Sequence, residues 1–246
     1  MARARTGGDP TTLRDRANAP VTVVWGGRVP YATAWAWQRH LAARRAADEI
    51  EDVLLLVEHP PTYTLGRRAD AANVLLDADA LAAAGIDLFH IDRGGDVTYH
   101  GPGQLVGYPI LRLAGPRVVD YVRALEELNL VMLAGHGIDA HRVDGLTGVW
   151  TDQGKLTAIG VRVTAGRITQ HGWATNVDPD LDDFRGIVPC GIDDRPVTSM
   201  AALGHRIDMA TAIADTVAAF GDVLGTSTTT ATPADLGLHT DMAVAD

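Results

Sequence analysis

Two residues stand out by scarcity in this chain of 246 residues. Of its 21 basic residues, 20 are Arg and only Lys155 is Lys. Arg keeps its proton at any relevant pH, whereas a desolvated Lys can release one. A position that stays Lys in so arginine-rich a chain is therefore a candidate for proton transfer, against the plainer reading of a turn residue in Asp152-Gln153-Gly154-Lys155. Cys190 is the single cysteine, in Ile187-Val188-Pro189-Cys190-Gly191-Ile192. Unpaired cysteines usually pack as small hydrophobes, but a site between Pro and Gly can present the thiol. A nearby ammonium stabilises a thiolate, and Lys155 is a natural partner. A Cys–Lys pair suits acyl transfer from a thioester: thiolate attack is nearly energy-neutral, and an amine can then attack the acyl-enzyme.

Two further segments carry polar groups on permissive backbone. In Arg93-Gly94-Gly95-Asp96-Val97-Thr98-Tyr99-His100-Gly101-Pro102-Gly103-Gln104, five of twelve residues are Gly or Pro. Glycines let a ligand approach the backbone and expose N–H donors, so this reads as a ligand loop rather than an ordinary long turn. In Gln170-His171-Gly172-Trp173-Ala174-Thr175-Asn176, small residues among bulky ones leave room for a narrow apolar ligand. His171 has two readings there, a satisfied structural histidine or a catalyst.

Other chemistries are excluded. The only Gly-Lys pair is followed by Leu156, with Val149 where a phosphate-binding loop needs Gly. Val106 replaces the third Gly of a dinucleotide fingerprint. Neither Ser199 nor Ser227 lies in Gly-x-Ser-x-Gly. One cysteine permits no intrachain disulfide or cysteine-based zinc cluster, and His136 with His141 is too loose a pair for a metal site. Net charge is −10, with the first 19 residues at +2, so the body argues against nucleic acid. No apolar run approaches a membrane span or follows the N-terminal arginines as a secretory signal would, which leads to a cytoplasmic expectation.

The elements that must hold these residues follow from periodicity. Strands are expected at 21–25, 53–58, 87–92, 104–113, 138–143, 149–151, 156–163 and 167–177, with 62–65 as an edge strand and a hairpin turn at Gly166. Helices are expected at 30–50, with Trp37, Leu41 and Arg44 on one face; at 77–85, stopping at Gly85; at 116–134, with Val118, Val122, Leu125, Asn129 and Met132 on one stripe; and at 208–224. Consecutive hairpin-type strands in the second half argue against a pure βαβ winding. The expected fold is α/β of the α+β type, a mixed, largely antiparallel central sheet flanked by helices. Residues 1–19 read as a flexible arm, 20–225 as one catalytic domain and 226–246 as a flexible tail.

Taken together, Arg93 to Gln104, Lys155-Leu-Thr-Ala-Ile-Gly160, His171 to Asn176 and Pro189-Cys190-Gly191 resemble the blocks of the lipoyl(octanoyl) transferases, over roughly residues 50–205. That resemblance implies the catalytic fold of biotin– and lipoate–protein ligases. It implies an octanoyl group moved from octanoyl-acyl carrier protein to the lysine of a lipoyl domain, in 2-oxoacid dehydrogenase E2 subunits and the glycine-cleavage H protein, with no metal and no cofactor. Cys190 would form the acyl-thioester; Lys155 would lower its pKa and shuttle protons. Arg93, Gly94, Gly95, Asp96, Val97, Thr98, Tyr99 and His100, with Ala158, Ile159, Gly160, Gly172, Trp173 and Ala174, would line the acyl pocket. Two positions depart from the family pattern. Thr147 stands where Pro is usual, which questions the local loop, and Trp173 is large for its place, which questions pocket length. A monomer is expected. The alternatives are an ATP-dependent lipoate or biotin ligase, and a non-catalytic relative that binds acylated carrier protein.

Overall fold

The computed structural model describes residues 8–188 and 196–242. Its elements run in the order β1 (Val21–Arg28), α1 (Tyr31–Ala46), β2 (Val53–Glu58), β3 (Thr62–Leu65), α2 (Ala78–Ala84), β4 (Asp87–His90), β5 (Val97–His100), β6 (Gln104–Ile110), α3 (Val118–Gly135), β7 (His141–Val143), β8 (Leu146–Thr151), β9 (Gly154–Val163), β10 (Thr169–Asn176), α4 (Met209–Leu224) and β11 (Thr228–Ala231). Eight strands form one sheet in the order β11-β1-β2-β6-β10-β9-β8-β7. Only β11–β1 and β1–β2 are parallel; the other pairings are antiparallel, as the hairpin pattern predicts.

Both faces of the sheet are covered, so its middle strands β2, β6 and β10 are buried along nearly their whole length rather than at every second residue. Leu54, Leu56, Leu105 and Trp173 pack on one side with Leu125, Leu128 and Met132 of α3 and Phe220 of α4. Val24, Leu55, Val57, Val106, Tyr108 and Ala174 pack on the other with Trp37 and Leu41 of α1. Local signals fix the helix ends. Asp77 and Asp208 cap α2 and α4 by accepting from Ala80 and Thr211 N–H, and Gly85 and Gly225 stop them with φ of 65° and 60°. Among the described residues no helix is long and apolar enough to cross a membrane.

A second sheet of three strands, β4-β3-β5, stands apart. Thr62–Leu65 is therefore a central strand, paired on both sides, and not an edge. Its partner β5 lies inside the segment read as a glycine-rich loop. The sequence hid this strand because Val97–His100 is four residues flanked by glycines, too short to show a period.

The two ends of the chain are also more ordered than composition suggests. Thr228–Ala231 pairs with Val21–Val24, Leu238 is buried, and Trp37 Nε1 donates to His239 O at 2.8 Å, so this part of the tail is built into the fold. In the N-terminal arm, Leu13 and Arg14 are buried. Arg14 Nε donates to Asp52 at 2.6 Å, and Arg45 Nε reaches the other oxygen of that carboxylate at 2.7 Å. Arg45 also pairs with Asp15 and Asp48. This cluster corrects the helix 30–50. Arg45, not Arg44, is the buried arginine; α1 stops at Ala46, and Asp48 turns the chain with φ of 58° to present its carboxylate. A run of polar and small residues carries no periodic sign of such a network.

Asp52 is a fully buried anion between two buried guanidinium groups. Removing one member of a buried ion cluster leaves the others uncompensated. Asp52→Asn is expected to lower unfolding stability by about 3–5 kcal/mol in urea titration; a loss below 1 kcal/mol would show the cluster to be peripheral.

Candidate active site

The site begins with the β9–β10 pair. Ala158 faces Ala174 and Gly160 faces Gly172 across the ladder, so four buried or half-buried positions in the middle of a covered sheet carry almost no side chain. They floor a half-open cleft of about 480 Å³, counted with the solvent at its mouth. Its walls are Tyr31 at the start of α1, Tyr108 of β6, His100 and Thr98 of β5, the Arg93–Asp96 turn and His171, and Lys155 stands at one end.

The turn is seated on the floor by hydrogen bonds. Gly94 N–H donates to Val161 O at 2.9 Å, and a Cβ on Gly160 would stand 2.9 Å from Gly94 O. Only glycine allows that approach. Arg93 is buried and spends its guanidinium on structure, donating to Thr64 O at 2.7 Å and Thr64 Oγ1 at 2.9 Å. The Asp96 carboxylate ties the turn to its neighbours, accepting from Asn73 Nδ2, Asp70 N–H and Val97 N–H.

Most of the expected lining is thus assembled: Arg93, Gly95, Asp96, Val97, Thr98, His100, Ala158, Ile159, Gly160, Gly172, Trp173 and Ala174. Two expected residues are not in it. Gly94 acts through its backbone on β9, and Tyr99 points the other way, its hydroxyl donating to Asp183 at 2.5 Å and its ring against Phe184. Alternation along β5 sends Tyr99 and its neighbour His100 to opposite faces. Cys190 lies outside the described residues. Tyr31 and Tyr108 were not anticipated; a tyrosine at a helix start and one in a buried strand look like core in sequence.

The two family departures resolve differently from expectation. Trp173 does not shorten the cleft with its ring. It pairs with Gly107 and packs on the α3 face, where a Cβ on Gly107 would overlap the indole. Thr147 is exposed within β8, which runs through it as strand. Gly172 is tight on the sheet side: a Cβ there would collide with Gly107 O and meet Pro109 Cδ at 2.9 Å. A larger residue at 172 would break the sheet before it filled the cleft.

Lys155 is a strand residue, not a turn residue; the turn is Asp152-Gln153. It is buried, with Nζ 5.1 Å from the centre of the Trp150 ring, a cation–π distance. Gly148, at φ of 121°, makes room for it: a Cβ there would stand 2.8 Å from Lys155 Cε. The backbone of Lys155 also receives the chain beyond residue 195, donating to Pro196 O at 2.9 Å and accepting from Thr198 N–H at 3.0 Å. On the near side, Val188 N–H donates to Asn73 O at 2.8 Å, and Asn73 in turn holds Asp96.

Three histidines meet the cleft region in neutral form. Burial holds His59 down to about 4, against a weaker opposing bond to Val29 O; Nε2 of the same ring lies 2.8 Å from Tyr108 Oη. His100 is pushed well below its ordinary value by burial and then by His59 and Arg93. Its Nδ1 lies 2.9 Å from Gln104 Oε1, while Gln104 Nε2 donates to Asn176 Oδ1. Gln104 therefore accepts from Nδ1–H, which leaves the lone pair on Nε2. Burial also lowers His171, despite its bond to Asp92. His136 is taken by Asp215 at 2.9 Å, and among the described residues no group of three metal-binding side chains occurs.

Residues 30–221 match the lipoyl protein ligase A/B catalytic domain family. The chain belongs to that family. It is 50% identical over 208 residues to the octanoyltransferase of Chloroflexus aurantiacus, covering 82% of this chain and 93% of the relative. It is 48% identical over 201 residues to that of Rubrobacter xylanophilus, covering 81% and 91%. The fold is shared with lipoate-protein ligase A bound with ATP (TM-score 0.72, 15% identity, 87% of this chain and 89% of the other). It is shared also with a bi-partite lipoate protein ligase from Thermoplasma acidophilum (TM-score 0.69, 16% identity, 87% and 88%). Membership at this identity makes the chain an acyltransferase of protein lipoylation, which sets aside the non-catalytic alternative.

The buried histidines set a pH dependence. In the native state they stay neutral, whereas unfolded histidines titrate near 6.5. As pH falls below 6.5 the unfolded chain takes protons that the native chain refuses, so stability falls with pH until the native values are reached. His59 alone accounts for on the order of 3 kcal/mol between pH 6.5 and 4. Urea midpoints are expected to drop steadily across that window; a flat profile would contradict neutral burial.

Proposed function

We propose that this acyltransferase moves an octanoyl group from octanoyl-acyl carrier protein to the lysine ε-amine of a lipoyl domain, in 2-oxoacid dehydrogenase E2 subunits and the glycine-cleavage H protein, through an acyl-thioester on Cys190. It acts as a cytoplasmic monomer. The observation that carries this reading is the anchoring of the chain on both sides of Cys190 at the cleft, Val188 through Asn73 and Pro196 on Lys155 itself. The floor of Ala158, Gly160, Gly172 and Ala174 suits a narrow saturated chain, which needs contact and no hydrogen bonds.

In the first half-reaction the Cys190 thiolate attacks the thioester carbonyl. The donor C–S bond breaks, and the departing carrier thiolate takes a proton from Lys155. In the second, the lipoyl lysine attacks the Cys190 thioester, a C–N bond forms, and Cys190 leaves as thiolate. The proton shed by the attacking amine returns to Lys155, so the enzyme ends as it began. The rival reading, an ATP-dependent ligase of the same fold, would activate a free acid instead.

Lys155→Arg separates charge from proton transfer. Guanidinium keeps the positive charge but does not give up its proton. Both half-reactions are expected to slow by roughly a hundredfold or more in single-turnover assays with octanoyl-carrier protein and a lipoyl domain, with transfer to the domain hit harder. Wild-type rates in this variant would remove the proton role, and a requirement for ATP in the wild type would favour the ligase.

A further inference from the structure

The floor of the cleft ends at an irregularity with an identifiable cause. Pro109 lies within β6, between strands on both sides, and has no N–H to give. The β6–β10 ladder runs from Asn176–Gln104 to Trp173–Gly107 and stops. Beyond the gap, Thr169 N–H donates to Leu111 O and Leu111 N–H to Thr169 Oγ1. Between these two stretches, His171 adopts φ of 56°, in the left-handed region that a non-glycine residue seldom occupies. Its N–H leaves the sheet and donates to Gln38 Oε1 of α1 at 2.8 Å.

That twist decides where the imidazole goes. Regular alternation would place His171 with Trp173 and Thr175, on the side where Thr175 Oγ1 donates to Asn129 of α3. Instead the ring lies 6.5 Å from that of Tyr108, on the α1 side, and lines the cleft. Nε2 is 2.8 Å from Asp92 Oδ1, and Arg162 Nη1 is 2.5 Å from Asp92 Oδ2. Arg162 also donates to Gln170 Oε1 at 2.9 Å. Asp92 and Arg162 are more than a third exposed while His171 is 2% exposed, so this hydrogen-bonded chain runs from the cleft to solvent. Nδ1 of His171 is buried with no partner among the described residues.

The register gives the polarity of the cleft. Lys155 is near the start of β9, Ala158 and Gly160 follow, and His171 pairs with Val161. His171 is thus the lining residue farthest from Lys155 along this strand pair. With the acyl carbonyl at Lys155, the methyl end of the chain faces His171. We infer that His171, pinned from outside by Asp92 and Arg162, is the stopper of the acyl cleft and sets the upper limit of chain length. The inference rests on the octanoyl reading for which end holds the carbonyl. A longer chain must displace a ring that is tethered through Nε2 to Asp92 and through its backbone N–H to Gln38, whereas an apolar end wall would yield by repacking. The strained backbone is the cost of holding that ring across the far end of the floor.

Two variants test this. Asp92→Ala removes the tether from the half-exposed end. His171→Asn shortens the stopper with a residue that tolerates left-handed backbone. Dodecanoyl and octanoyl groups are compared in single-turnover transfer from carrier protein, and dodecanoate and octanoate in calorimetric binding to the whole chain. A ratio of the two chain lengths is unaffected by a loss of folded protein. Both ratios are expected to shift toward dodecanoyl by roughly tenfold or more in each variant, the scale set by a few methylenes in an apolar pocket. Unchanged ratios in both variants would overturn the stopper. Failure of the wild type to transfer octanoyl would strike the octanoyl reading alone, because the calorimetric ratio still decides whether His171 limits chain length.

Discussion

The cleft exists because the centre of the sheet is nearly bare. Ala158 against Ala174 and Gly160 against Gly172 are cross-strand pairs that contribute little packing of their own. A sheet with such a gap must be braced from elsewhere, and it is. On the α3 side Trp173 covers Gly107, and Thr157, Thr175 and Asn129 share buried hydrogen bonds. On the α1 side the Arg93–Asp96 turn sits directly on β9 through Gly94. The empty space and the glycine-rich turn are therefore one feature: the turn is both the wall of the cleft and the support of its floor.

Charge is arranged around that space. The groups beside the middle of the floor, His100, Tyr31 and Tyr108, are buried and held neutral, since burial pushes the histidine down and both tyrosines up. Lys155 stands at one end and the Arg162–Asp92 pair at the other. The charged side chains in the wall between them are engaged by the protein, Arg93 by two hydrogen bonds to Thr64 and Asp96 by Asn73, Asp70 and Val97.

The sequence was most legible where type and spacing coincide with a single mechanism. The mixed antiparallel sheet followed from the run of hairpin strands, whereas the twelve expected lining residues that meet at the cleft were implied by the family resemblance as a set. Tyr99 was misplaced because a dense motif does not reveal which of its members alternate away from the ligand. Tyr31 and Tyr108 were missed because their role depends on strands and a helix brought together from distant positions. Lys155 was chosen by scarcity, yet its surroundings, Trp150 and Gly148, come from the preceding strand and were invisible as a group. Order in the N-terminal arm rests on Asp52 and its arginines, a long-range ion cluster with no periodicity to read.

Trapping of the covalent intermediate bears most directly on the chemistry. Wild-type chain mixed with octanoyl-carrier protein, with no lipoyl domain and no ATP, is examined by intact-mass spectrometry and then by peptide mapping. A gain of one octanoyl group, released by neutral hydroxylamine and mapped to Cys190, is expected, together with its disappearance when a lipoyl domain is added. An unmodified chain that nevertheless octanoylates the domain, or an adduct on any other residue, would contradict transfer through a Cys190 thioester.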